Sequence, residues 1–112
     1  MIKAEIIRSK DLQITGFKVK GHAGFSKQGD DIICASVSAL CYTAAGYFDE
    51  TRPDGLEAVF EEKSGYMKLE IPELISDEAK IAAGAVMNAW LIGMKQIELS
   101  YGGKYLKIID KY

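Results

Sequence analysis

A single histidine and two cysteines are all this sequence offers for imidazole or thiol chemistry. The scarcity excludes a good deal. Cys34 and Cys41 fall seven residues apart on one predicted helix, roughly 10 Å along its axis. That is too far for a disulfide within the helix. Two cysteines at this spacing with one histidine do not make a zinc site either. No metal and no cofactor is therefore expected. Basic runs are also lacking: 14 Lys and Arg stand against 16 Asp and Glu, for a net charge of −2. Without a basic stripe, direct nucleic-acid binding has no electrostatic footprint. Long apolar runs are missing too. The stretch from Ile81 to Met94, read as the most apolar, is interrupted by Asn88 and too short to cross a bilayer. Met1 to Arg8 alternates like a strand and has no signal-peptide core. The expectation is one cytoplasmic domain over residues 1–112, with no membrane partner and a core large enough to need no staple.

What is present reads as seven elements. Ile2, Ala4 and Ile6 alternate with Lys3 and Glu5, as a strand does. Leu12 to Lys20 reads as a second strand whose apolar phase shifts across Gly16, where a bulge is expected. Residues 9–11 form the turn between them. A helix follows from about Ile32 to Thr51, with Ile33, Val37, Leu40, Ala44 and Tyr47 on one stripe. Arg52-Pro53-Asp54-Gly55 stops it. Leu56 to Glu62 and Tyr66 to Ile71 read as a hairpin around Lys63-Ser64-Gly65. Ser76 caps a second helix that runs to about Tyr101 and ends at Gly102-Gly103. Tyr105 to Ile109 is the last strand. The order β-β-α-β-β-α-β predicts an α+β two-layer sandwich, two helices on a mostly antiparallel sheet.

The second helix is apolar on two sides. Ala82, Ala85, Ala89 and Ile92 form one stripe. Ala83, Met87, Trp90, Met94 and Ile97 form another. Burial against the first helix and burial against a second subunit both satisfy this pattern. With Trp90 and Met94 as the preferred contacts, the second helix is the expected surface of a homodimer.

The chemistry concentrates in Gly21-His22-Ala23-Gly24 and Gly29-Asp30-Asp31-Ile32-Ile33-Cys34-Ala35-Ser36-Val37-Ser38. Cys34 falls in the first turn of the first helix, where the positive end of the helix favours a thiolate. His22 is the available base. A lone histidine and a helical cysteine are more often structural than catalytic, and spacing alone does not bring the side chains together. Asp30 and Asp31 are candidate N-caps, a role that contributes about 1 kcal/mol. Either could instead orient His22 as a third triad member. Ser38, one turn after Cys34, is a candidate supporting residue or merely a tolerated helical serine. Gly21, Gly24 and Gly29 leave the loop free to approach a ligand. Phe25 is expected to cover the site as residues 23–30 close. Backbone N–H groups at the helix start are the expected oxyanion donors. Cys41 reads as a packed core thiol.

These segments, with Ser64-Gly65-Tyr66 further on, resemble the ribosomal-processing cysteine protease family, Prp, over essentially the whole chain. The resemblance implies a small homodimeric enzyme that removes a short N-terminal extension from large-subunit ribosomal protein twenty-seven. Cleavage follows a hydrophobic, often aromatic, segment. Carried across, Cys34 is the nucleophile and His22 the general base and acid, while Asp31 and Ser38 match further motif positions. Two other classes fit the bare residues: a non-enzymatic ribosome-assembly adaptor dimer, and a thiol hydrolase of small esters or thioesters.

Overall fold

The computed structural model describes residues 1–27 and 31–111. The strands are β1 (Ile2–Arg8), β2 (Ile14–Lys20), β3 (Val59–Lys63), β4 (Tyr66–Glu70) and β5 (Leu106–Ile109). The helices are α1 (Ile32–Thr51) and α2 (Asp77–Tyr101), and a 3-10 turn covers Pro53–Gly55. The sheet order is β3-β4-β2-β1-β5. Every pairing is antiparallel except β1 with β5. This is the expected α+β sandwich with its expected element order.

Alternation decides which face of the sheet is covered. Ile2, Ala4 and Ile6 of β1 are buried, and Lys3 between them is exposed. On β2 the buried set is Ile14, then Phe17 and Val19, so the phase changes within the strand. The pairing shows why. Ile7 opposes Gly16 but Arg8 opposes Ile14, leaving Thr15 as the extra residue of a bulge. The shift keeps both halves of β2 facing the helices.

The two helices and the covered face of the sheet share one core. In α1 the buried residues are Ile33, Val37, Cys41, Ala44, Ala45 and Phe48. The stripe is thus turned slightly from the expected one: Cys41 and Phe48 go inside, and Leu40 and Tyr47 are only half-buried. Among the described residues α1, not the Ile81–Met94 segment, is the helix long and apolar enough to cross a membrane. Its apolar face is core of the sandwich here.

In α2, Trp90 stacks on Phe17 of β2, ring centroids 4.4 Å apart. Trp90 is 3% exposed and Met94 fully buried, so neither is available to a second subunit. The expected contact residues are core residues. The solvent-facing stripe is the other one, where Ile92 is 59% and Leu99 81% exposed.

Candidate active site

Asp31 organises the start of α1. It is the N-cap, and one carboxylate oxygen accepts from the backbone N–H groups of Ile33 (2.9 Å) and Cys34 (3.1 Å). The other accepts from the N–H groups of Phe25 (3.1 Å) and Ser26 (3.4 Å). One side chain thus ties the loop after β2 to the first turn of the helix. It is the one buried charged residue among the described residues. Burial pushes its pKa up, but the donors from Cys34, Phe25, Ser26 and Ile33 outweigh it, and the net shift is downward.

A pH dependence follows. A carboxyl held below its unfolded pKa contributes stability that is complete above about pH 4 and is lost as pH falls through the folded value. Thermal melts between pH 6 and pH 2.5 are expected to show an acid decline that is shallower in Asp31→Asn. Parallel declines in the two proteins would remove Asp31 as a source of that dependence.

The same hydrogen bonds change two sequence expectations. Both Asp31 oxygens accept backbone N–H groups, so the carboxylate serves the helix start and the loop rather than His22. The N–H groups of Ile33 and Cys34 are spent on Asp31, so they are not open oxyanion donors. The N–H aimed at the sulfur is that of Ala23, which donates to Cys34 Sγ at 3.4 Å. Asp30 and Gly29, the other candidates in this loop, lie outside the described residues.

Cys34, Ser38 and His22 all line one open cavity of about 360 Å³, together with Gly21, Gly24 and Asp31. Among the described residues no hydrogen bond joins the imidazole to the thiol; the cavity is what they share. Cys34 is partly accessible and Cys41 is buried. Burial pushes the Cys41 thiol up to about 12, against the opposing effect of the Trp90 indole.

Phe25 does not line this cavity. It packs edge-on against Tyr101 at 5.8 Å and Tyr105 at 5.3 Å, beside the end of α2 and the approach to β5. The cover expected over the site is instead seated on an aromatic pair beside it. The expected closing of residues 23–30 falls partly on 28–30, outside the described residues.

The far wall comes from the β3–β4 hairpin and was not singled out as a site from the sequence. The cavity is lined there by Glu62, Gly65, Tyr66 and Met67. Gly65 has φ +69°, and its carbonyl accepts from the Gly21 N–H at 2.8 Å. A Cβ on Gly65 would lie 2.9 Å from His22 Nε2. The positive φ favours glycine at this turn, and the imidazole also lies against the place a Cβ would take. The Ser-Gly-Tyr triplet was the legible signal, but its contact is long-range.

A sequence model of the family described as Cysteine protease Prp matches residues 1–107. The chain belongs to the Prp family. It is a cysteine protease. The ribosomal processing cysteine protease Prp of Bacillus subtilis is 33% identical over 103 residues, covering 90% of each chain. Prp of Staphylococcus aureus, solved with a covalently linked product peptide, superposes with a TM-score of 0.79 at 22% identity. That match covers 99% of this chain and 100% of the other. A Streptococcus mutans protein superposes with a TM-score of 0.75 at 26% identity, covering 98% and 93%.

Proposed function

We propose that this Prp-family protease removes the N-terminal extension of large-subunit ribosomal protein twenty-seven, in the cytosol, with Cys34 as nucleophile and His22 as general base and acid. The observation that carries this reading is the shared cavity. It is lined by both the accessible cysteine and the sole histidine. The relatives' description as ribosomal processing proteases supports the substrate class.

The chemistry runs in two halves. The Cys34 thiolate attacks the scissile carbonyl carbon, and the tetrahedral intermediate collapses to a thioester as the amine leaves with a proton from His22. Water then attacks the thioester and gives a proton to His22. The C–S bond breaks, the Cys34 thiolate is regenerated beside protonated His22, and the carboxylic acid product departs and ionises in solvent. The Ala23 N–H donates to the sulfur and favours it as the thiolate, before attack and again as the C–S bond breaks.

Incubation with the extended ribosomal protein tests the reading, followed by mass spectrometry. A single cut that leaves the mature N-terminus is expected. Binding without cleavage would favour the adaptor reading. Neither binding nor cleavage, with turnover of thioesters, would favour a small-ester hydrolase.

The working unit in this proposal is a homodimer. Its contact is the exposed face of α2, where Ile81, Ile92 and Leu99 sit at helical spacing. Ile92→Glu with Leu99→Glu is expected to halve the mass seen by light scattering while the melting temperature stays close to the original. Because both residues face solvent, loss of the core does not confuse the result. An unmodified protein that is monomeric at high concentration would reject the dimer.

A further inference from the structure

Lysines scattered along the chain meet on one face of the sheet. Ala4, Val19, Phe60, Met67 and Ile108, one from each strand, pack toward the helices. Their neighbours in each strand therefore take the other, uncovered face. One row on that face crosses all five strands. Lys63 opposes Tyr66, Tyr66 opposes Lys20, Lys20 opposes Lys3, and Lys3 opposes Lys107. Four strand spacings make the row about 19 Å long. All four lysines are exposed, and among the described residues none of them is in an ion pair. The next row is balanced instead. Glu61 opposes Lys68, Lys18 lies between Lys68 and Glu5, and Glu70 pairs with Lys68 at 2.7 Å. Like charges directly opposite one another weaken a sheet, so the lysine row works against the fold. Edge lysines that deter pairing with another chain account for Lys63 on β3 and Lys107 on β5. They do not account for Lys20 and Lys3, which lie on the inner strands β2 and β1.

We propose that this row binds a single-stranded nucleic acid, with backbone phosphates on Lys63, Lys20, Lys3 and Lys107 and a base on Tyr66. Charge complementarity calls for a polyanion, since four unpaired ammonium groups stand in line. The tyrosine within the line selects the kind: single strands are held by lysines along the backbone and by aromatic rings under the bases. Tyr66 is half-buried, and among the described residues its ring meets no other aromatic ring. An acidic peptide or an anionic lipid surface has no base to offer it. The basic stripe that the sequence lacks as a run is thus assembled by cross-strand register. β2 runs from Lys20 directly into Gly21 and His22, and Lys63 and Tyr66 reach the rim of the cavity that holds Cys34. The bound strand therefore lies at the end of the sheet that carries the site.

The test is fluorescence anisotropy with a labelled strand of about 12 nucleotides, within the span such sites take, as RNA and as DNA of one mixed sequence. Binding of either supports the proposal, and the tighter of the two names the polymer. Four phosphate contacts predict a log–log salt slope of about −2.8, a loss of about 50-fold in affinity between 50 and 200 mM salt. Lys3→Gln with Lys107→Gln is expected to bring the slope to about −1.4 and to weaken binding about tenfold or more at the lower salt. Lys10→Gln with Lys95→Gln removes the same charge from the β1–β2 turn and from α2, and is expected to leave the slope in place. Tyr66→Leu is expected to weaken binding about tenfold with the slope unchanged, as loss of a stacked base does. Thermal melts show that each variant is folded. No binding of either strand by the unmodified protein would overturn the proposal, as would equal effects of the two lysine pairs. So would full affinity in Tyr66→Leu, or binding of oligoglutamate of equal charge or of phosphatidylserine vesicles as tightly as the strand. The readout involves no peptide cleavage, so it stands apart from the assignment of Cys34.

Discussion

Cys34→Ala is expected to lower peptide cleavage by roughly 10⁴-fold or more, as loss of a covalent nucleophile does, while the protein stays folded. The side chain is only partly buried, and among the described residues its one hydrogen bond is accepted from the Ala23 N–H. Removing the sulfur therefore leaves the core almost untouched. Cys41→Ala is expected to do the reverse. Cys41 is fully buried between the helices and the sheet, so its truncation costs stability on the order of 1 kcal/mol and leaves most activity. Alkylation separates the two thiols in the native protein. Iodoacetamide is expected to label Cys34 and to spare Cys41, which is both covered and held as the neutral thiol by burial. Peptide mapping that found Cys41 labelled first, or full activity in Cys34→Ala, would end the assignment of Cys34 as nucleophile.

His22→Ala is the second large effect, expected at about 100-fold or more in kcat/KM. The sequence holds no other histidine to substitute for it. The structure adds a second way to reach the same group. Gly65→Ala places a methyl 2.9 Å from Nε2 and must displace the imidazole. Activity is expected to fall about tenfold or more in that variant, since misplacing a reacting group by about an ångström is costly. Alanine at a positive φ carries its own strain, so Gly55→Ala is the control. Gly55 has φ +72° and a Cβ there meets nothing. Equal loss of activity in both variants would mean that strain, and not the contact with His22, is being measured.

Most of the elements could be read from the sequence, because their signals are local. Ser76 caps α2 within one turn of it, accepting from the Ala79 N–H at 3.1 Å. Asp31 and Cys34 lie within one turn as well, so a capped helix start with a cysteine in it is a statement about neighbours in the chain. The bulge beside Gly16 was legible as a change of phase, and Ser64-Gly65 as a turn. Strand order was not, because a strand's alternation says which face is buried and nothing about which strand lies beside it.

The features that decide function depend on contacts through space. Two apolar stripes on α2 have the same helical period, so periodicity could not choose between them. Stacking of Trp90 on Phe17 buries one stripe, and Ile92 and Leu99 are left on the other. Phe25 could be marked as a loop aromatic, but its seat on Tyr101 and Tyr105 exists only once α2 and β5 have been laid beside the loop. The sequence by itself determined the chemistry available: one imidazole, one first-turn thiol, and the glycines between and beyond them. Only the tertiary structure set Gly65 against His22 and brought Cys34, Ser38 and His22 to one cavity. The first depends on β4 pairing beside β2, which sets Tyr66 opposite Lys20, and the second on α1 lying over the sheet; neither pairing nor packing is encoded by a single turn or strand.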